Sequence, residues 1–319
     1  MSYLARRLAA FPLVLVGVSI VVFVAIRLVP GDAITAMLGT EAGLLTPQQR
    51  QSLAVYFGID QPWPIQYWRW LNGLFVGDLG TSVIYGKPVL TVILDHFPLT
   101  LELALLAMLV ALATGVPAGV FAATHSEGSA DLGVRILAMI GQSTPSFVVG
   151  LILIYILSAG FGVLPTMGAF TPFRQDPLQN LGQMILPAVT LGFAFAASVT
   201  RVSRSAMLDV LSDDYVRTAR SKGVPERRVI WRHALPNALV PVVTLSGIEF
   251  GYLLGGAVIV EQIYALPGLG RMVLEAILQR DYALVQGSVL FIALNFMIVN
   301  LLVDLAYAAL DPRIRLVGR

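Results

Sequence analysis

Long apolar stretches alternate with short polar segments along the whole chain. Each stretch is close to the roughly 20 residues that an α-helix needs to cross the hydrocarbon core of a bilayer. A helix in lipid is apolar on every side, so helical periodicity carries little information here. The pattern therefore predicts an all-α polytopic membrane protein with six spans, at Leu8–Val29, Leu99–Ala123, Ile136–Ala159, Ile185–Val199 with its continuation, Ala238–Val260 and Val285–Ala308.

The polar segment between the first two spans, residues 31–97, is long enough to carry structure. Thr46–Gln49 reads as a capping box with proline at the first helical position, and Gly58 is placed to end that helix. A second short helix is expected from Pro64. It carries aromatic and apolar residues at high density, a composition typical of interfacial anchors: Tyr67, Trp68, Trp70, Leu71 and Phe75. A rim that contacts an external binding protein is the alternative reading of these side chains.

A second polar segment, residues 205–236, is strongly cationic and lies between two apolar runs. A lysine or arginine at mid-span costs about 3 kcal/mol on insertion scales, so this segment must be a loop. Ser212 is expected to cap a first short helix, and Gly223 to end it in the left-handed conformation. Pro225 is expected at the first position of a second helix that ends near Leu235. The cations are Arg217, Arg220, Lys222, Arg227, Arg228 and Arg232.

Composition and charge fit a membrane protein with both termini in the cytoplasm. The chain is 57% hydrophobic and 13% charged, with a mean hydropathy of +0.79. With the N-terminus inside, cations are in excess on the inner side, as the positive-inside rule requires. The N-terminal apolar run is too long for the core of a cleaved signal, which predicts a retained anchor. The inner cations outside the loop are Arg6, Arg7, Arg135, Arg201, Arg204, Arg313, Arg315 and Arg319.

The sequence offers no support for catalysis, and no catalytic residue is assigned. It has no cysteine and no H-E-x-x-H motif, so neither a thiolate metal site nor a zinc protease site is expected. The stretch Gly80–Pro88 fails as a phosphate loop, because its first glycine is out of register and Pro88 replaces the required Ser or Thr. If ATP drives this protein, the ATPase is therefore another polypeptide.

The cationic loop resembles the EAA loop of binding-protein-dependent ABC transporter permeases. That pattern is E-A-A, three residues, G, nine residues and I-x-L-P, and here Arg217-Thr218-Ala219, Gly223 and His233–Pro236 fall at its spacing. Arg217, Thr218 and His233 depart from the consensus in a way that is similar to the peptide-permease branch. Further stretches are similar to that branch: Arg27–Ala33, Gly58–Leu71, Gly77–Ser82, Pro145–Phe147 and Ala265–Arg271.

The resemblance implies the type I ABC importer permease fold and a passive permease subunit of the bacterial cytoplasmic membrane. The chain is expected to divide into an N-terminal tail with the first transmembrane helix, residues 1–30, a structured periplasmic loop, residues 31–97, and a core permease with transmembrane helices 2–6, residues 98–319. The core contains a cytoplasmic coupling loop, residues 205–236. The implied cargo is dipeptides or oligopeptides, with glutathione or nickel as alternatives. The residues implied to contact the ATPase are Asp214, Arg217, Thr218, Ala219, Lys222, Gly223, Glu226, Arg227, His233, Leu235 and Pro236.

The same resemblance implies the partners. They are a second, different permease that completes a heterodimer, two ATP-binding cassette subunits that use ATP and magnesium, and a periplasmic substrate-binding protein. No cofactor of the chain itself, no metal and no nucleic acid are expected. A secondary transporter is the alternative from another class, but it would need inverted repeats and paired broken helices, and the sequence shows neither.

Small residues inside the spans suggest sites of helix packing, and polar residues there suggest the translocation path. Gly247, Gly251 and Gly255 recur on one face of the fifth span, and such faces allow helices to approach closely in lipid. They serve either packing within the subunit or a seam against the second permease. Glu249 is an ionisable group at membrane depth and a candidate for the translocation path, with a solvated polar bridge between helices as the alternative. Further candidates for that path are Gln142 and Ser143.

Overall fold

The computed structural model describes residues 3–29, 31–161 and 170–310, so the predicted inner cations Arg313, Arg315 and Arg319 lie outside the described residues. Regular structure in this part of the chain is helical, apart from one isolated antiparallel bridge between Thr81 and Pro88. The helices are α1 (Tyr3–Leu28), α2 (Ala33–Leu38), a 3-10 helix (Gly39–Leu44), α3 (Pro47–Tyr56), α4 (Trp63–Phe75), α5 (Val89–Thr124), α6 (Ser129–Ser143), α7 (Ser146–Phe161), α8 (Pro177–Leu211), α9 (Asp214–Ser221), α10 (Glu226–Arg228), a π-helical turn (Val229–Ala234), α11 (Leu235–Gly256), α12 (Val258–Ile263), α13 (Leu269–Leu278) and α14 (Tyr282–Leu310).

Five helical stretches are long and apolar enough to cross a membrane, and they coincide with five of the six predicted spans. They are Ala9–Leu28, Val89–Thr124, Pro177–Leu211, Glu226–Gly255 and Tyr282–Leu305. The pair α6 and α7 supplies a sixth crossing if the two bent helices count as one span. The fold is therefore all-α with five or six candidate spans.

The third predicted span, Ile136–Ala159, is wrong as a single helix. α6 ends at Ser143, Thr144 is extended at φ −89° and ψ 120°, and α7 begins at Ser146 with its axis turned by 104°. Pro145 explains the break. A proline has no N–H for the helical ladder, and it drives the residue before it out of the helical region.

The predicted helices of the segment between α1 and α5 are confirmed. The Gln49 N–H donates to Thr46 Oγ1 at 3.3 Å, and the Thr46 N–H donates to Gln49 Oε1 at 2.9 Å, which closes the capping box. Gly58 follows this helix with φ +65°. α4 begins at Trp63, one residue before the expected start.

The aromatic residues of α4 divide into two groups. Tyr67 and Trp70 pack on Phe23 of α1, with ring centroids 5.2 and 6.5 Å away. The side chains of Trp68 and Phe75 are exposed instead. Only the second pair is free to act as the predicted interfacial anchor or rim.

The chain divides into two compact units, of which the first comprises residues 1–99 and 267–298. Asp281, 1% exposed, organises polar groups inside it. Its carboxylate accepts hydrogen bonds from Ser82 Oγ at 2.6 Å, from the Ile84 N–H at 3.2 Å and from the Leu284 N–H at the start of α14 at 3.0 Å. The apolar core of this unit consists of Val22, Ile26, Val89, Val92, Ile93, Leu269, Met272, Val273, Ala276, Tyr282, Leu284 and Val285.

The second unit comprises residues 100–266 and 299–319, and α8 is its central helix. Helices α5 and α8 approach closely where glycine removes the side chain. A methyl group on Gly192 would lie 2.5 Å from the carbonyl oxygen of Ala107, and one on Gly115 would lie 2.7 Å from that of Ala196. Backbone atoms cannot move aside, so this crossing requires glycine at both positions.

Candidate functional site

The coupling loop contains a short helix, α9, that begins at Asp214. Asp213 precedes it with extended backbone at φ −65° and ψ 149°, which is the usual geometry of a residue that starts a helix. The prediction that Ser212 caps α9 is wrong. Ser212 has φ −86° and ψ −12°, so it closes α8, and its Oγ donates to the Asp209 carbonyl oxygen at 2.7 Å.

Gly223 ends α9 in the left-handed conformation, as predicted, with φ +75°. The Gly223 N–H donates to the Arg220 carbonyl oxygen at 2.9 Å, and the Val224 N–H donates to that of Ala219 at 3.2 Å. These two bonds form a Schellman motif. No atom lies within 4 Å of the position that a Cβ would occupy on Gly223, so the backbone conformation alone demands glycine here.

The second half of the coupling loop is continuous with the next span. Pro225 precedes α10, whose first residue is Glu226, one position later than expected. The prediction that this helix ends near Leu235 is wrong. The Leu235 N–H donates to the Ile230 carbonyl oxygen, five residues back, and the chain continues into α11 with Pro236 in its first turn. Proline has no N–H to donate, and a π-helical turn accommodates its missing bond without ending the helix.

Buried and hydrogen-bonded side chains hold α9 against the start of α11. Val216 is completely buried. The Tyr215 hydroxyl accepts a bond from Asn237 Nδ2 at 2.7 Å and donates to the His233 carbonyl oxygen at 3.3 Å. The two bonds of Tyr215 therefore fix α9 to the π-helical turn and to the start of α11, while Val216 turns its side chain away from solvent.

An ion pair joins α9 to α10. Arg220 donates to Glu226 through Nη2 at 2.7 Å and through Nε at 3.1 Å, and these two bonds raise the pKa of Arg220 above its ordinary value. A bidentate guanidinium–carboxylate pair fixes direction as well as distance. The turn at Gly223 is thus closed by backbone bonds on one side and by this pair on the other.

The residues implied to contact the ATPase fall into two groups. The Asp214 and Arg217 side chains are 98% and 73% exposed, and their charged atoms lie 3.7 Å apart. Thr218, Lys222, Gly223, Glu226, Arg227 and Pro236 are exposed as well, whereas Ala219, His233 and Leu235 are partly buried. The exposed residues form the outer side of the loop, and the partly buried residues face the body of the second unit. Their contact with an ATPase stays a prediction.

Two of the three path candidates lie at the break between α6 and α7. Gln142 and Ser143 are exposed at the end of α6, and Gln142 Nε2 donates to Ser198 Oγ of α8 at 3.2 Å. Glu249 is half-buried in α11 and makes no hydrogen bond or ion pair with any residue that the structure describes.

The glycines of α11 have different surroundings. A methyl group on Gly247 would lie 2.1 Å from Val303 Cγ2 of α14, so this glycine serves packing within the chain. Gly251 is buried, and no atom lies within 4 Å of a Cβ built on Gly255. Only Gly255 is left open for a neighbouring helix of another subunit.

The sequence reading missed the side chains that fix the coupling loop. Val216 is an apolar residue inside a polar segment, a signal that could have marked it as buried. Tyr215 and Asn237 meet across the loop, which no local pattern predicts. The bidentate pair of Arg204 with Asp131, at 2.5 and 2.7 Å, joins α8 to the start of α6 and was likewise not expected.

Comparison with known proteins places the chain in a family. The family described as "Binding-protein-dependent transport system inner membrane component" matches residues 115–316, and the corresponding N-terminal family matches residues 1–104. A protein of Brucella abortus (strain 2308), named as a candidate peptide transport system permease, is 42% identical over 312 residues, which cover 98% of each chain. The glutathione transport system permease protein GsiC of Salmonella paratyphi A is 40% identical over 316 residues, 99% of each chain.

Among solved structures, an amino acid ABC transporter crystallised with histidines matches with a TM-score of 0.49 and 19% identity, over 70% of this chain and 94% of that one. The two family matches together span nearly the whole sequence, and they include the coupling loop. The chain therefore belongs to the inner-membrane permease components of binding-protein-dependent ABC transport systems.

Proposed function

We propose that this chain forms half of the translocation path of an ATP-driven importer of short peptides. The observation that carries the proposal is its end-to-end similarity to permeases named for peptide and for glutathione transport. Glutathione is itself a tripeptide, so both names describe one chemical class. Family membership also argues against the alternative of a secondary transporter, because it ties the chain to a separate binding protein.

The geometry of the coupling loop suggests how ATP hydrolysis elsewhere would act on this chain. ATP and magnesium bind to two ATPase subunits, and one of these receives the exposed side of α9, with Asp214, Arg217 and Thr218 at the contact. Movement of α9 is passed on through Tyr215 and Asn237 and through the unbroken helix into α11. A helix held at several points moves as a rigid body, so displacement at the loop becomes displacement of a span.

The remaining partners supply the rest of the path and the cargo. A second, different permease completes the heterodimer, and a periplasmic binding protein delivers the peptide to its outer mouth. Selectivity then lies largely in the binding protein, so the same permease geometry suits a dipeptide or glutathione.

Reconstitution tests this proposal. The chain, its partner permease and the ATPase pair are incorporated in proteoliposomes, with the cognate binding protein and magnesium-ATP added on the appropriate sides. Uptake of a labelled dipeptide or of glutathione that requires both ATP and binding protein is expected. Nickel uptake with no uptake of either peptide would overturn the proposed substrate class.

A second arm tests the division of labour between subunits. The purified chain alone should hydrolyse no ATP above background, because Gly80–Pro88 does not form a phosphate loop. Robust hydrolysis by the lone chain, free of contaminating ATPase, would contradict the proposal that ATP is used only by its partners.

A further inference from the structure

One face of α8 is polar and open near the coupling loop. Ser198, Arg201 and Ser205 follow one another at spacings of three and four residues, so they share this face. Arg201 and Ser205 are exposed, and Ser198 is partly exposed. The opposite face of the same helix exposes apolar side chains nearer its start, among them Leu178 and Ile185. A helix surrounded by lipid would be apolar on both faces, so the polar face meets something other than hydrocarbon.

In the N-terminal half of α8, polar residues of the same face are buried. Thr190 Oγ1 lies 2.8 Å from the Tyr264 hydroxyl, and Asn180 Nδ2 donates to the Thr171 carbonyl oxygen at 3.0 Å. Thr190 and Asn180 are completely buried. The polar groups of that half are therefore used inside the subunit, whereas those between Ser198 and Ser205 face outward.

Arg201 differs from the neighbouring arginine on its helix. Arg204 forms a bidentate pair with the buried carboxylate of Asp131, so its charge is neutralised within the second unit. Arg201 makes no hydrogen bond or ion pair with any residue that the structure describes, and its side chain is exposed. It lies ten residues before the end of α8, about 15 Å along the helix axis. It is thus an uncompensated cation near the end of the span that leads into the coupling loop.

A second helix contributes to the same polar surface. Gln142, at the end of α6, donates to Ser198 Oγ at 3.2 Å, and the exposed Ser143 lies beside it. The break at Pro145 ends α6 at this point and leaves these side chains open. Polar groups from two helices therefore surround the approach to Arg201.

We infer that Arg201 is a transient binding site for the carboxylate of the peptide in transit, with Gln142, Ser198 and Ser205 as hydrogen-bonding groups along the path. This inference rests on the proposed function. Every peptide with a free C-terminus carries a carboxylate, whatever its side chains, and a guanidinium matches that group in charge and in bidentate geometry. An exposed cation with no fixed partner binds weakly enough to release its ligand, as a conducting path requires.

Variants of Arg201 test this role in the reconstituted complex. Arg201→Gln is expected to lower peptide uptake at least tenfold, while ATP hydrolysis stimulated by the loaded binding protein stays within twofold of wild type. Arg201→Lys should retain much of the uptake, because it keeps the charge. The matched control is Arg135→Gln, an exposed cation on α6, which should change neither quantity.

The outcomes separate the possible roles of Arg201. Wild-type uptake by Arg201→Gln would overturn the inference and leave Arg201 as a contact for lipid phosphate groups. Equal loss of uptake and of stimulated hydrolysis, at normal protein level, would overturn it in favour of a coupling role. Absence of ATP-dependent uptake in the wild-type complex would instead count against the proposed function itself.

Thiol labelling tests the path without requiring transport. The natural chain contains no cysteine, so single cysteines can be placed on either face of α8. Ser205→Cys should react with a charged, water-soluble thiol reagent in the assembled complex, and labelled peptide should slow the reaction. Ile185→Cys, on the opposite face, should react at least tenfold more slowly. Equal rates at both positions, or no protection by peptide, would overturn the assignment of this face to the path.

Discussion

At the scale of single residues, Gly223 determines the direction that the chain takes after α9. Its φ of +75° is a conformation that side chains with a Cβ adopt only at a cost of roughly 1 kcal/mol or more. The space around it is empty, so a larger residue would meet strain in the backbone rather than a clash. A change at this position therefore reorients the loop without disturbing a span.

Gly223→Val should abolish most peptide uptake while the protein remains at its normal level in the membrane. The strained turn is expected to displace α9 from its proposed contact with the ATPase, whereas the spans keep their packing. Gly133→Val is the matched control, since Gly133 also has open space but lies in the regular helix α6. Quantitative blotting of membranes and uptake by proteoliposomes provide the two measurements. Normal uptake by Gly223→Val would show that the loop sets topology but does not couple.

At the scale of helices, α5 and α8 are held together by glycine. At Gly192 the backbone of α5 occupies the space where a side chain would be, and the Ala107 carbonyl oxygen would lie 2.5 Å from an added methyl group. Van der Waals contact replaces the hydrophobic effect as the source of helix association in lipid, so separating these helices removes much of what stabilises the crossing.

Gly192→Ala should therefore destabilise the protein by about 1–3 kcal/mol, the usual range for overpacking. Gly182→Ala, on the same helix, should be harmless because no atom lies within 4 Å of its Cβ position. Thermal unfolding in detergent and the yield of folded protein measure the difference. Equal melting temperatures for the two variants would mean that α5 and α8 do not cross as described.

The junction of α9 with α10 is a second test at this scale. The Arg220 and Glu226 side chains are 40% and 55% exposed, so their ion pair adds at most about 1 kcal/mol to stability. The ion pair instead fixes the orientation of α9 relative to α10. Arg220→Glu should lower uptake several-fold with little change in melting temperature, and the added exchange Glu226→Arg should restore uptake. A double variant that remains as inactive as the single one would show that Arg220 acts through another partner.

At the scale of the whole molecule, the sidedness of the chain depends on the bent pair α6 and α7. If the pair crosses the membrane, six spans place both termini on the same side. If it enters and leaves on one side, five spans remain and the termini lie on opposite sides. Family membership does not decide between these arrangements.

We expect both termini in the cytoplasm, because the inner loops of a six-span arrangement carry the excess of cations. Reporter fusions after Arg319 and within residues 31–97 should therefore report opposite compartments. A third fusion at residues 170–176 should report the same compartment as the second. A cytoplasmic signal from that third fusion would show that α6 and α7 form a re-entrant pair.

Features that depend on neighbouring residues could be predicted from the sequence. The capping box at Thr46 and the left-handed turn at Gly223 follow from local hydrogen bonding, and the structure has both. Apolar length likewise located five spans. The same local reasoning failed at Pro145 and Pro236 in opposite directions, because the helix breaks at Pro145, whereas a π-helical turn carries the chain past Pro236 without a break.

The parts of the site that could not be predicted depend on distant contacts. Tyr215 meets Asn237 only because α9 folds back onto the start of α11. The contrast between Arg201 and Arg204 depends on the position of Asp131 on another helix. The two arginines carry the same charge, so the sequence alone does not show which of them has an ion-pair partner.

The π-helical turn before Pro236 also sets the phase of α11. Such a turn contains one residue more than an α-helix of the same rise, which rotates everything beyond it by about 100° relative to an uninterrupted helix. Gly247 faces Val303 only with this extra residue in place. The number of residues in the π-helical turn of the coupling loop thus sets the direction in which a glycine deep in the span points. Deleting one residue there would alter helix packing several turns away.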